Sequence, residues 1–146
     1  MREIRLLSSA DLFAVAEIEK LCFAEPWSAA SLELLLKNRN FGVVALEDGV
    51  VAAYVGVIAF APEADITNVA THPDFRRRGI GAELLRFLKR EAEKRGIENI
   101  YLEVRRSNDA ARSLYEKEGF SVIGERKGFY KNPTEDAVLM GWSLNG

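Results

Sequence analysis

Three consecutive arginines, Arg76, Arg77 and Arg78, run into Gly79, Ile80, Gly81 and Ala82 where an apolar segment gives way to an amphipathic one. A helix start carries unpaired N–H groups and a partial positive charge. Three cations beside it are electrostatically unfavourable unless an anion joins them. With an anion bound, the same residues form a phosphate cradle. Gly79 and Gly81 let the main chain approach closely, and the arginines add charge-assisted bonds from the rim. The chemistry this suits is the holding of a phosphorylated ligand. The competing reading is a solvated basic turn; glycine alternation at a helix start after a strand favours the cradle.

The elements that must position this loop are legible around it. Residues 65–70 read as a strand, ended by His72-Pro73. From Gly79 to about Lys94, Leu84, Leu85, Leu88 and Ala92 mark one helix face, and Arg95-Gly96 stops the helix with a cation and a left-handed cap. Residues 97–104 read as the next strand. Strand, helix, strand is a parallel crossover, and ligands of open α/β sheets bind beyond the carboxyl ends of such strands.

Upstream, Ile4, Leu6 and Leu7 predict a first strand. Ser8, Ser9 and Asp11 then start a helix striped by Leu12, Val15, Ala16, Ile18 and Leu21. Pro26-Trp27-Ser28 breaks the chain before a short helix with Leu32, Leu35 and Leu36. Residues 41–46 and 50–60 pair across the Asp48-Gly49 turn. Downstream, Asn108 caps a helix bearing Ala111, Leu114 and Tyr115, and residues 120–123 and 137–142 predict a final strand pair. The expected fold class is α/β: one mixed sheet with helices on both faces, in a single domain spanning residues 1–146.

A net charge of -2 leaves no global basic field for nucleic acid, so the arginine run is a local feature. The lone Cys22 excludes an internal disulfide, fits a reducing compartment, and reads as a core residue of the first helix rather than a nucleophile. The longest apolar run, residues 50–61, suits a buried strand better than a membrane span, and no signal peptide is evident. His72 reads as a turn residue, and no His, Cys or carboxylate cluster has metal-site spacing. The expectation is a cytoplasmic monomer or weak dimer that uses no metal and binds neither nucleic acid nor membrane.

The kind of phosphate can be narrowed. A P-loop needs lysine and then serine or threonine after its last glycine, where Ala82 and Glu83 stand. A dinucleotide fingerprint needs a third glycine where Leu84 stands, and a tighter turn than residues 72–78 allow.

Arg76-x-x-Gly79-x-Gly81, Leu102-Glu103-Val104-Arg105-x-Ser107-Asn108 and the Ala-x-x-Leu-Tyr-x-x-x-Gly-Phe segment ending at Phe120 occur in order. In this the chain resembles the GNAT family of N-acetyltransferases. Pro26-Trp27-Ser28, Asn68-Val69-Ala70 and Glu135-Asp136-Ala137 with Met140 extend the likeness over the whole chain, toward the branch that acetylates the amino-terminal alanine of a ribosomal protein. The resemblance implies a largely antiparallel sheet whose central parallel strands splay, acetyl-CoA as cosubstrate, and a protein amino terminus as acceptor. Carried onto this chain, it implies pantetheine contacts at Val69, Ala70 and Thr71. Pyrophosphate contacts fall on Arg77, Arg78, Gly79, Ile80, Gly81 and Ala82, with Arg76 opening the motif, and a cofactor-arm contact falls on Asn108. Glu103 is implied as general base and Tyr115 as the acid beside the sulfur.

From the residues alone, the favoured reading of Glu103 is a rim carboxylate paired with Arg105 or Arg106, and Tyr115 reads also as a half-buried helix tyrosine. Trp27 reads as a staple on the second helix or as a wall of the peptide groove. Relatives of the ribosomal branch often carry paired tyrosines where this chain has Phe129-Tyr130, which keeps lysine, polyamine or another small amine as an alternative acceptor. A coenzyme-A-binding module without catalysis is a further alternative, disfavoured by the presence of both Glu103 and Tyr115.

Overall fold

Strand alternation sorts the apolar residues into two layers, one on each side of a sheet. The computed structural model describes residues 1–146. Its strands are β1 (Arg2–Leu6), β2 (Phe41–Glu47), β3 (Val50–Phe60), β4 (Glu63–Thr71), β5 (Asn99–Arg105), β6 (Ser121–Tyr130) and β7 (Glu135–Ser143). They form a seven-stranded sheet in the order β1-β2-β3-β4-β5-β7-β6. β4 and β5 are parallel, and every other neighbouring pair is antiparallel. The helices are α1 (Leu12–Cys22), α2 (Ala29–Leu32), α3 (Ile80–Lys94) and α4 (Asp109–Lys117).

α1 and α2 cover one face through Leu12, Val15, Ile18 and Leu32, which pack on Val44, Leu46, Tyr54 and Ala70. α3 covers the other through Ile80, Leu84, Leu85 and Leu88, which meet Val43, Val55, Val57 and Ile100. Each such side chain contributes about 1.5–3 kcal/mol on burial. Leu114 and Tyr115 bring α4 onto this same face. β2 and β3 are thus buried on both sides, which is why their sequences are apolar almost throughout.

The Asp48-Gly49 hairpin has φ of 50° and 83°, the left-handed pair of a two-residue turn. α3 stops at Gly96, with φ of 77°. The cap at Asn108 forms as expected, its side chain accepting from Ala111 N–H.

Three expectations change. Leu21 is 56% exposed: the buried stripe of α1 runs through Glu19 and turns away before Leu21. Cys22 is half-buried, not a core residue; its thiol donates to the Thr71 carbonyl at 3.4 Å. The last strand pair is much longer than residues 120–123 and 137–142, because β6 is an edge strand whose Glu125, Arg126 and Lys127 keep it solvated and conceal the strand pattern. No helix is long and apolar enough to cross a membrane.

Candidate active site

The parallel pair opens. β4 and β5 are partnered only from Glu63, Ala64 and Asp65 to Asn99, Ile100 and Tyr101. Beyond that point β4 stays with β3 and β5 stays with β7. A cavity of about 670 Å³ fills the gap, lined by Val69 on one side, Glu103 and Asn108 on the other, and Tyr115 behind.

The cause is a bulge. Val55 pairs with Val69 and Val57 with Ile66, so Gly56 alone faces both Thr67 and Asn68. A bulge bends its strand and increases its twist, here away from β5. Val69, Ala70 and Thr71 keep their β3 partners, and no strand lies against their β5-facing edge.

The cradle has the form a phosphate needs. Main-chain N–H groups from Arg77 to Ala82 donate to no acceptor within the chain; the helix ladder begins with Glu83 N–H on the Gly79 carbonyl. Gly79 has φ of 74° and Arg77 has φ of 64°, which turn successive amides outward. Gly81 has a second constraint: a Cβ there would stand 2.8 Å from Leu114 Cδ2, so the glycine also lets α3 start against α4.

Arg2 braces the loop from below. It donates to the Arg78 carbonyl at 3.1 Å and holds Glu47 and Glu83 at 2.6 Å each. Arg76 turns inward, with its Nε on the Thr71 carbonyl at 3.2 Å and Nη2 at 3.4 Å from Cys22 Sγ. Arg78 lies over the Phe75 ring at 5.2 Å. Six free amides and two glycines without side chains fit a diphosphate.

Along β5, Ile100, Leu102 and Val104 are buried toward α3, which turns Tyr101 and Glu103 to the other face. Glu103 is half-buried. Its expected partners are occupied: Arg105 holds Glu135 at 3.3 Å and Arg106 holds Glu125 at 2.6 Å. The nearest cation is Arg126, 3.9 Å from Glu103 Oε1 and too far for a hydrogen bond. The carboxylate is therefore available to the cavity.

Tyr115 is 7% exposed. Burial, with Tyr130 nearby, pushes its phenol well above the ordinary value, so it stays protonated at neutral pH. Tyr130 is pushed up to about 12, by burial first and then by the charge of Glu103. These three groups share the cavity wall. Ser107, with help from Arg105, holds the Glu135 carboxyl below its usual range and ties β7 to the start of α4.

Trp27 packs on the α1 and α2 layer and also lines the cavity. Phe129 stacks edge-on against Tyr130 at 5.1 Å. Across the mouth, Asn132 donates to Glu25 at 3.2 Å and joins the loop after α1 to the β6–β7 loop. The cavity gathers Val69, Glu103, Asn108 and Tyr115; Ala70, Thr71 and residues 76–82 stand outside it. Sequence reading missed Arg2, whose partners lie far along the chain and leave no local signal. It also missed Glu19, which did leave one: a lone carboxylate four residues after Val15 and three after Ala16, in the middle of an apolar stripe.

Comparison with known proteins agrees with this geometry. Residues 12–120 match the family described as the Acetyltransferase (GNAT) family. The chain is 37% identical over 147 aligned positions to the [ribosomal protein bS18]-alanine N-acetyltransferase of Escherichia coli K12, covering 99% of both chains. It is 38% identical to the Salmonella typhimurium enzyme of the same name, again over 99% of both. The crystal structure of the ribosomal-protein-S18-alanine N-acetyltransferase from Escherichia coli superposes with a TM-score of 0.91 at 36% identity, covering 99% of this chain and 94% of that one. With its splayed parallel strands, its amide cradle and these relatives, the chain belongs to the GNAT family of acetyltransferases.

Proposed function

We propose that residues 1–146 act as one domain that acetylates the α-amino group of a protein, with the amino-terminal alanine of a small-subunit ribosomal protein as acceptor. The observation that carries this reading is the shared cavity of Glu103 and Tyr115 at the gap between β4 and β5, with the free amides of residues 77–82 in the loop that follows β4. Likeness over the full length of two enzymes named for that acceptor supports the choice of substrate.

Acetyl-CoA, when bound, supplies an acetyl group on a thioester sulfur. The amides of Arg77, Arg78, Gly79, Ile80, Gly81 and Ala82 hold its pyrophosphate, and the open edge of Val69, Ala70 and Thr71 aligns its arm, with Asn108 opposite. Glu103 accepts a proton from the incoming ammonium, directly or through one water. Tyr115 keeps a proton on its hydroxyl for the departing sulfur, and its raised pKa keeps that proton in place. The demand on Glu103 is modest, because an α-amino group titrates near 7.7–8.0 against about 10.4 for lysine.

Mass spectrometry of the protein incubated with acetyl-CoA and a peptide bearing the amino terminus of that ribosomal protein tests the reading. One acetyl group on the α-nitrogen is expected. Phe129, in place of the first of two tyrosines, supports a second acceptor class, lysine or a polyamine. A polyamine turned over more efficiently than the peptide favours that class instead.

A further inference from the structure

Glu19 lies in the middle of the α1 stripe and is 0% exposed. Taking a carboxylate out of water costs several kcal/mol, and an apolar side chain of similar volume is often neutral or better at such a site. No cation pairs with it. Three donors from three different segments hold it instead. Tyr54 of β3 donates to Oε2 at 2.6 Å. Trp27 N–H, in the loop that walls the cavity, donates to Oε1 at 2.9 Å. The Asn68 amide nitrogen lies 3.0 Å from Oε2 and 3.3 Å from Oε1.

Asn68 belongs to the bulge. Ala64, Ile66 and Val69 pack toward α3, whereas Ala70 packs toward α1. The extra residue reverses the phase of β4, and this reversal is what turns Asn68 to Glu19. The carboxylate thus fastens the irregular turn of β4 from which the open edge at Val69, Ala70 and Thr71 begins. The same oxygens fix the loop that carries Trp27 on the opposite wall.

We propose that Glu19 is a positioning residue for acetyl transfer. It acts through Asn68 to hold the β4 bulge, and so the open main-chain edge of Val69, Ala70 and Thr71 that aligns the acetyl-bearing arm. The proposal rests on the function given above. Glutamine is close to glutamate in size but offers one acceptor oxygen where two are used, so Trp27 N–H or the Asn68 amide then faces an NH₂ group.

The test compares Glu19→Gln, Asn68→Ala and Tyr54→Phe in the full chain. Steady-state kinetics with acetyl-CoA and the peptide are measured beside amide hydrogen exchange at residues 67–69 of the free protein. Glu19→Gln and Asn68→Ala each lower kcat by about ten- to a hundredfold, as a small misplacement of a reacting group does. The KM for acetyl-CoA stays within about twofold, and the double variant is no slower than either single one. In both, the bulge amides exchange about fivefold faster or more. Tyr54→Phe lowers Tm but leaves kcat and the bulge amides as they are.

Wild-type kcat in Asn68→Ala, or an equal loss of kcat in Tyr54→Phe, overturns the proposal. So does unchanged exchange at residues 67–69 in Asn68→Ala, which decides the matter even if Glu19→Gln fails to fold. A wild-type protein that acetylates nothing removes the proposed function instead, and the exchange comparison still tests the hold of Glu19 on the bulge.

Discussion

Gly56 of β3 lies directly against Thr67 of the β4 bulge. A Cβ on Gly56 would collide with Thr67 Oγ1 and stand 2.9 Å from Leu35 Cδ1. The bulge therefore requires a residue without a side chain opposite it, and the opening of the sheet depends on that vacancy.

Gly56→Ala is expected to destabilise the protein by about 1–3 kcal/mol, the usual cost of overpacking, as read by urea unfolding. Gly124→Ala is the control. Its new Cβ meets only Leu139 Cδ1 at 3.4 Å, an ordinary contact, and its stability is expected to stay close to wild type.

Much of the scaffold was legible because local pattern and tertiary structure agree. β3 spans the expected residues 50–60, Asn108 caps α4, and Ile100, Leu102 and Val104 alternate inward as read. The bulge was not legible, since an inserted residue looks like ordinary strand until its partner's register is known. Glu19 was overlooked because a charged residue on a helix is assigned to solvent by default; its place in the apolar stripe was the local signal, and Tyr54, 35 residues along the chain, is the partner that explains it. The ion pairs of Arg105 and Arg106 were equally invisible, which is why the availability of Glu103 emerged only from the structure.

Tyr115→Phe is expected to lower kcat by about 10²–10⁴-fold, the range of a lost general acid. Acetyl-CoA affinity, by calorimetry, stays within about twofold because no phosphate contact is touched. The raised phenol pKa sets the sign of the pH dependence. The protonated, active form persists as pH rises, so no loss of wild-type rate from this group is expected below about pH 10, its ordinary value.

Glu103→Gln is expected to reduce kcat/KM most below neutrality, where the peptide amine is charged and needs a base. Above about pH 8 the α-amino group is largely neutral, and the gap to wild type narrows. A pH profile of both proteins on one peptide checks this; a gap that stays constant from pH 6 to pH 9 contradicts a base role.

Asp11 couples stability to acid. Burial opposes its charge, but Arg5 at 2.7 and 2.9 Å and the Ser8 N–H at 2.8 Å outweigh that and hold its carboxyl below the usual range. A depressed pKa stabilises above the unfolded value, near 3.9, and the contribution is lost as pH falls through the folded value. Asp11→Asn is expected to cost about 1–3 kcal/mol at pH 7, as for a hydrogen bond to a charged group. The gap closes as denaturation is repeated at pH values progressively below about 4.

Acetyl transfer at this site requires residues 77–82 to hold a diphosphate so that a thioester reaches the gap between β4 and β5. A crystal structure with coenzyme A tests it most directly. The predicted result is the pyrophosphate on the amides from Arg77 to Ala82, with the thiol arm beside Val69 and ending near Tyr115. Coenzyme A bound away from that loop, with those amides left in solvent, would contradict it.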